Sequence, residues 1–492
     1  MSETPVAAAP PPGVDGGAER RRPLANALLL LVTRTLSRLV VLATVIVAQN
    51  ALGRGGYGEF QTAIVFSSLS SIVADLGLQV VFTREAARHR ERLGQLLAVT
   101  LGARIPLAVA SGVVLAAAVA LLAPSLLSLV PSVYLLLLVM SFSTVLRSCF
   151  YATQEMRWEV IAIAGETAIL LGVTLWAAAL HAPVHVYIDA YTASYGFTLL
   201  LGLVVVSRRY TRLRVAWHPD EVRTLLRSGL PFALAFALST VYFRIDLVIL
   251  QALRGFAQAG DYGAANKFLD GLGFVPQAVM SAVYPALSIA ALRGPDQVRG
   301  LYLRVYRLLA LVGMPASVLV VALAPVIVSD THTLASAAPS LRVLGATAFF
   351  LFVVNSFVFT LGAMDRALSF AALAGASVVV NVGLNLVLIP LFPNDQGPVA
   401  CAWATVITEA ALYVAGLLVL SRYLGGLAWV RPLLPVVVSG AAMAAVAWPL
   451  RDAWQPLAVL APVAVYCTTV LATGAIRPAE LRPLLAAVRG SR

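Results

Sequence analysis

The chain of 492 residues is 60% hydrophobic and only 12% charged, whereas a soluble domain is about 45–50% apolar and about 25% charged. A bilayer-spanning helix needs about 20 apolar residues, so this length accommodates about fourteen spans with short connections and excludes a soluble enzyme on a single anchor. The net charge of +12 sits in short arginine clusters between apolar runs, as the positive-inside rule predicts for a membrane protein and unlike a nucleic-acid binder.

Residues 1–22, rich in Ala, Pro and Gly and ending in Arg20-Arg21-Arg22, read as a disordered cytosolic tail. The apolar run that follows contains Arg34 and Arg38 and extends to Ala48, too long and too charged for the core of a signal peptide. Apolar patterning then predicts spans near 24–50, 59–83, 97–122, 132–150, 159–181, 187–206, 228–252, 263–290, 304–328, 339–362, 369–391, 398–420, 432–449 and 455–473.

Alternate connections separate by charge. One set carries Arg84, Arg88, Arg90 and Arg92, then Arg147 and Arg157, then six arginines between Arg208 and Arg227. It continues with Arg293, Arg299, Arg366, Arg422, Arg431 and the tail arginines, whereas the other set holds only Arg54, Arg254 and Arg451. The arginine-rich side is therefore cytosolic, and an even number of spans places both termini there. The longest connection, 207–227, is expected to link an N-lobe (24–206) to a C-lobe (228–420), followed by a helix pair (432–473) and a cytosolic tail (474–492). Short outer connections argue against a membrane polymerase or ligase, whose chemistry would use an external domain. Cys149, Cys401 and Cys467 lie in apolar runs without paired spacing, which supports neither a disulfide framework nor a metal site. No cofactor is expected.

The two halves share a pattern. "ALGRGGYGEFQTAI" from Ala51 and "ALRGFAQAGDYGAANKF" from Ala252 each place Gly-x-Tyr-Gly between two spans, with Tyr57 and Tyr262 in matching places. The glycines suit a tight turn and the tyrosines a headgroup layer. Arg38 and Arg244 precede these tyrosines at nearly equal distances, as expected of parallel repeats about an axis along the membrane normal.

A charge at the bilayer centre costs about 2.5–3.5 kcal/mol on insertion scales, so such residues face a cavity or a partner. Arg34 and Arg38 are spaced i, i+4 on one helix face, with Ser37 and Thr44 extending it. Arg244 and Asp246 lie in the seventh span, and Lys267, the sole lysine, lies three residues before Asp270 in the eighth. These residues suit either anion binding or ion pairing, Lys267 with Asp246 or with Asp270. Arg104 and Arg342 are further cationic candidates. Glu409, Asp75, Glu166, Asp246 and Asp270 are candidates for coupling to a proton or sodium ion, with helix–helix bonding as the alternative, and Asn355, Asn381 and Asn385 add uncharged polar groups. A cationic set drawn from both halves favours an anionic, phosphate-bearing substrate.

The stretch "LSRLVVLATVIVAQNALGRGGYGEFQTAI" from Leu36 and "DLGLQVVFTREAARHRERLGQ" from Asp75 resemble the Wzx-type polysaccharide flippases of the MOP superfamily. So does the segment from Gly229 to Ser288, with its Leu-Pro-Phe start, Arg-x-Asp pair and Tyr-Gly-x-Ala turn, and so does "GPVACAWATVITEAAL" from Gly397. The resemblance, over about residues 24–421, implies an all-α polytopic membrane protein with two six-helix lobes in a V and a C-terminal helix pair. It implies alternating-access export of an undecaprenyl-pyrophosphate-linked oligosaccharide across the cytoplasmic (inner) membrane. Arg38 would hold pyrophosphate together with Arg244 and Lys267, with Arg34, Arg104 and Arg342 as further contacts. Arg38 matches an arginine used for pyrophosphate in a related lipid II flippase. A second arginine of that relative has no counterpart here, Thr44 standing near its place, which argues against lipid II as substrate. The last two spans resemble a pair that holds the polyprenyl tail in that relative. Implied partners are the glycan lipid, membrane lipid, a coupling Na+ or H+, and the polysaccharide polymerase or export machinery. No ATP-binding Gly-x-x-x-x-Gly-Lys-Ser/Thr loop occurs. The rival functions are a MATE-type cation or drug antiporter, a membrane polysaccharide polymerase or ligase, and an uncoupled scramblase.

Overall fold

The computed structural model describes residues 16–329, 335–426, 433–451 and 453–475. The predicted tail segments 1–15 and 476–492, and Arg431, lie outside the described residues. The N-terminal half contains α1 (Gly16–Asp75), α2 (Leu78–Arg88), α3 (Leu93–Leu122), α4 (Val130–Thr153), α5 (Met156–Ala179) and α6 (Val184–Val205). The C-terminal half contains α7 (Pro219–Arg254), α8 (Phe256–Leu272), α9 (Phe274–Arg293), α10 (Pro295–Ser329), α11 (Ala338–Ala363), α12 (Ala367–Leu391) and α13 (Gly397–Leu424). The last pair is α14 (Leu434–Leu450) and α15 (Gln455–Ala472), and the described residues contain no strand.

Twelve helical stretches are long and apolar enough to cross a membrane, and Leu434–Leu450 is a shorter apolar helix. The first stretch is two spans folded at Gly53, whose φ of 66° and ψ of 179° are open to glycine but costly for other residues. All fourteen predicted spans are therefore present as helix. Their ends differ from the prediction where local chemistry overrides hydropathy. Residues 16–22, which composition assigns to a tail, begin α1. The second span stops at Asp75 rather than near 83, because Leu76 and Gly77 take positive φ and the Asp75 carboxylate accepts hydrogen bonds from Gly77 N at 3.1 Å and Gln79 N at 3.3 Å. The next segment is then a separate amphipathic helix that buries Leu78, Val81, Phe82 and Ala86. The interlobe connection is shorter than 207–227, since α7 starts at Pro219 with Asp220 and Glu221 in its first turn, where the helix dipole favours acids.

Two lobes follow from the packing. Helix α1 lies against α3, α4, α5 and α6, while α11 packs on α10 and α13, and α12 on α13 and α7. The pair α14–α15 rests on α10. On the outer side one apolar core runs across both lobes, joining Val45, Tyr57, Phe60 and Phe66 to Leu250, Tyr262 and Ala264. On the arginine-rich side the core splits. Phe82, Leu97, Leu146 and Phe150 belong to one lobe and Tyr302, Tyr306, Phe352 and Phe357 to the other, with a small bridge of Leu78, Val81, Val99 and Ala103 against Val222 and Leu225. The result is a V closed at its outer end.

The duplication is visible in backbone geometry, in a register different from the one the tyrosines predict. Gly53 and Gly255 take nearly the same conformation, φ 66°, ψ 179° and φ 84°, ψ 176°. Each lies five residues before a glycine at which the lobes cross. A Cβ on Gly58 would meet Phe256 O at 1.8 Å, and one on Gly260 would meet Arg54 O at 2.4 Å. Tyr57 and Tyr262, like Arg38 and Arg244, are about one helical turn out of that register. Both tyrosines are also fully buried instead of lying in a headgroup layer. Gln61 holds the Tyr57 hydroxyl, and the Tyr262 hydroxyl donates to Asp246.

Candidate functional site: a cationic cluster between the lobes

The first half of α1 carries Arg38 between the lobes, where its charge acts on Tyr195 of α6 and on Lys267 of α8. Arg38 is exposed, and among the described residues it has no hydrogen-bond or ion-pair partner. Across from it, Arg244 and Lys267 share one carboxylate. Arg244 Nη2 lies 3.6 Å and Lys267 Nζ 3.5 Å from Asp270 Oδ2, and all three side chains are partly exposed. This resolves the pairing choice left open by sequence: Lys267 joins Asp270, not Asp246. Asp246, behind them, also interacts with Arg244 and Asp270, so three cations face two carboxylates and one positive charge is left over. In a low-dielectric surrounding such a surplus favours an anion.

One turn nearer the arginine-rich side, Arg34 is tethered. Its Nη2 donates to Tyr151 Oη at 2.7 Å and sits 3.5 Å from Glu159. Ser37 meets Thr167 Oγ1 of α5 at 2.6 Å. Behind them lies a network the sequence reading missed. Arg147, assigned above to a loop, is turned into the lobe, where its guanidinium donates to both Glu159 oxygens at 2.6 and 2.8 Å and to Glu166 at 3.1 Å. The available signal was the i, i+7 spacing of Glu159 and Glu166, which puts both acids on one face of α5. Glu166 also accepts from Thr198 at 2.7 Å, so it is an ion-pair partner and not a free coupling carboxylate.

Other candidates fall outside the cluster. Arg104 is buried, donates to Ser141 O at 2.7 Å and Ser141 Oγ at 2.5 Å, and forms an ion pair with Asp75. That arrangement fixes α3 to α4 and to the end of α1, and leaves neither Arg104 for substrate nor Asp75 for coupling. Arg342 lies at the outer end of α11 with its guanidinium 5.6 Å from the centre of the Trp448 ring on α14, away from the cluster.

Two acids sit deep in the C-lobe. Asp246 accepts from Leu247 N at 2.8 Å and from Tyr262 Oη, which also meets Thr405 at 3.1 Å. Glu409 accepts from Tyr242 Oη at 2.6 Å through one oxygen, while its Oε2 is buried with no hydrogen-bond partner among the described residues. Asn385 Oδ1 on the adjoining α12 is likewise buried and unpartnered. A buried acceptor without a donor is costly.

The outer end of the V is fastened by charge as well as by core. Arg54 donates to both oxygens of Asp261, at 3.1 and 2.6 Å, and Ser336 adds a bond to Asp261 at 2.6 Å. At the opposite end the two lobes keep separate cores, and α9 packs on α10 and α11. That end stays joined at the start of α7, where a Cβ on Gly77 would meet Gly229 O at 2.2 Å.

Residues 24–291 match the family described as polysaccharide biosynthesis protein. The chain belongs to that family. No curated protein matches it in sequence. Among solved structures, the fold is similar to that of the lipid II flippase MurJ in an inward closed conformation, at 12% identity and a TM-score of 0.72, over 93% of this chain and 100% of that one. It is also similar to an inward-facing multidrug resistance MATE family transporter of the MOP superfamily, at 13% identity and a TM-score of 0.64, over 79% and 98% of the two chains. A MOP superfamily transporter from Pyrococcus furiosus, described as having a binding pocket of reverse polarity, matches at 12% identity and a TM-score of 0.52, over 81% and 94%. The chain is thus a multi-pass membrane protein with the fold of MOP-type flippases and transporters, in a family tied to polysaccharide synthesis.

Proposed function

We propose that this protein moves an undecaprenyl-pyrophosphate-linked oligosaccharide from the inner to the outer leaflet of the cytoplasmic membrane by alternating access. The observation that carries this reading is the charge surplus between the lobes, where Arg244 and Lys267 share Asp270 and Arg38 has no ion-pair partner among the described residues. A pyrophosphate matches it in sign, and guanidinium groups recognise its oxygens through paired hydrogen bonds. The separation of the two lobe cores on the arginine-rich side gives the head group a way in from that side while the polyprenyl tail stays in lipid. Breaking the Arg54–Asp261 contact and closing the lobes on the arginine-rich side would release the head group outward.

The same sign disfavours a cation or drug antiporter, whose cargo the cluster would repel. Glu409 and Asn385 are the best-placed groups for uptake of a coupling proton or sodium ion, since each presents a buried acceptor oxygen without a donor. The test is binding of undecaprenyl pyrophosphate and of undecaprenyl monophosphate to the protein in nanodiscs, paired with recovery of surface glycan in a deletion strain. Arg38→Ala and Arg244→Gln are expected to weaken pyrophosphate binding about 10-fold or more, the effect of losing a charge-assisted hydrogen bond. Both are also expected to leave lipid-linked oligosaccharide on the inner leaflet. Full binding and full surface glycan in both variants would overturn the reading.

A further inference from the structure

Outside the interlobe cluster, the helical hairpin α9–α10 lines a half-open pocket of about 320 Å³ on the arginine-rich side. Its lining has two characters. Ala286, Ile289 and Ala290 of α9 form an apolar wall, and Arg293, Asp296, Gln297 and Arg304 form a polar one. The hairpin turns at Gly294, whose φ of 119° is open to glycine, so the last turn of α9 and the first turns of α10 face each other across a tight reversal.

The positive-inside rule accounts for Arg293, which ends α9. It accounts equally for Arg304, at the arginine-rich start of the predicted span 304–328. Among the described residues neither arginine has a hydrogen-bond or ion-pair partner, and Asp296 forms no ion pair with either. Two arginines and one carboxylate line the pocket, which leaves it with a net positive charge that favours an anion. Beside the pocket, Ile289 and Leu292 are 54% and 89% exposed, an apolar surface that continues the α9 wall towards lipid. A ligand satisfying both walls carries a phosphate at one end and a hydrocarbon chain at the other.

We propose that this pocket binds the phosphate of an anionic phospholipid of the inner leaflet, held between Arg293 and Arg304 with one acyl chain along Ile289 and Leu292. Basic pockets between transmembrane helices on the cytoplasmic side bind acidic head groups in this way. The pocket is separate from the interlobe cluster and does not depend on the identity of the transported lipid.

The experiment is native mass spectrometry and thermal unfolding of the full chain in detergent, with added phosphatidylglycerol, phosphatidylethanolamine or inorganic phosphate. Three proteins are compared: wild type, the pair Arg293→Gln with Arg304→Gln, and Arg299→Gln. Arg299 points elsewhere, towards Gly425 at the end of α13, and serves as the control for loss of one surface charge. Phosphatidylglycerol is expected to remain bound to the wild type and to the control and to raise their unfolding temperatures. The paired variant is expected to lose about 10-fold or more in phosphatidylglycerol affinity, the loss of charge-assisted bonds to phosphate. Equal retention of phosphatidylglycerol by the paired variant would overturn the proposal, and so would equal retention of phosphatidylethanolamine by the wild type. Inorganic phosphate displacing the lipid at matched concentration would overturn it too, by showing a site for free anion. Should the paired variant fail to fold, Ile289→Asp, which places a charge on the apolar wall, must release the lipid while both arginines remain.

Discussion

If the Arg54–Asp261 contact latches the outer end of the V, removing it should shift the protein towards its outward-open state by a calculable amount. The Asp261 carboxylate is almost wholly buried, whereas the Arg54 side chain is half exposed. Truncating one partner of a fully desolvated, hydrogen-bonded charge pair costs about 2–5 kcal/mol. Solvent screening of the exposed arginine lowers that here, and about 1–2 kcal/mol is a reasonable share for the closed state. The outward-open population should then rise about 5–30-fold. In Asp261→Asn the carboxamide still accepts from Ser336, so the substitution tests the charge and not the packing.

The assay uses Gln61→Cys, a position buried in the α1–α8 interface beneath the Gly58–Gly260 crossing. Cys467, the one exposed native cysteine among the described residues, is replaced. A membrane-impermeant maleimide applied from the outer face should label the introduced thiol about 5–30-fold faster in Asp261→Asn and in Arg54→Gln than in the parent. The double variant should label no faster than either single one, because both remove the same interaction. Unchanged labelling in both single variants, or fully additive effects in the double, would refute the latch.

Other outcomes follow from the same geometry. Gly58→Ala should prevent full closure of the outer end, since its Cβ would overlap Phe256 O, whereas Gly55→Ala meets nothing within 4 Å and should be tolerated; maleimide labelling in the Gln61→Cys background separates the two. Arg104→Ala should destabilise the folded protein by about 3–5 kcal/mol by leaving Asp75 charged without its partner, read as a lower unfolding temperature with no selective effect on pyrophosphate binding. Asp270→Asn should release Arg244 and Lys267 from their shared carboxylate, tightening pyrophosphate binding in equilibrium measurements while slowing its release in a transport assay. Glu409→Gln should keep the Tyr242 hydrogen bond but lose proton or sodium dependence of transport in proteoliposomes; unchanged ion dependence would remove Glu409 from the coupling site.

Much of the architecture is written in composition, because a hydrocarbon solvent forces every span to be helical and apolar and leaves arginine to mark one side. Hence all fourteen spans are visible in the sequence, and so are the three cations of the interlobe cluster, each conspicuous as a charge within an apolar run. What is not legible there is which charges neutralise one another. Arg147 looks like a loop residue because it lies near the end of α4, yet α5 returns beside it with Glu159 and Glu166 on the facing side. Arg104 and Arg38 look alike in sequence, but only Arg104 has an acid and a serine brought to it by neighbouring helices. Tyr57 and Tyr262 read as headgroup-layer residues because aromatic side chains at span ends usually lie there; the lobe crossing at Gly58 and Gly260 instead buries them.

Under the proposed function, the cluster between the lobes differs from the other internal charges in how it is paired. A membrane chain stabilises its internal charges by pairing them, and most here obey: Arg104 with Asp75, Arg147 with two glutamates, Arg54 with Asp261. Against that background, a place where pairing is left incomplete has to be maintained by something outside the protein's own side chains. Asp270 prevents Arg244 and Lys267 from repelling each other apart, and Glu159 with Tyr151 keeps Arg34 at the edge. Within the cluster Arg38 alone has no such restraint among the described residues, and it sits on the first half of α1. An arriving diphosphate would therefore meet Arg38 as the least committed cation and reach the Asp270 pair afterwards, drawing the two lobes onto one anion. That order makes Arg38 more important for capture and Arg244 with Lys267 for closure. Stopped-flow binding of undecaprenyl pyrophosphate should accordingly show a slowed association rate in Arg38→Ala and a raised dissociation rate in Lys267→Gln. The opposite assignment of the two rates would refute this order of engagement.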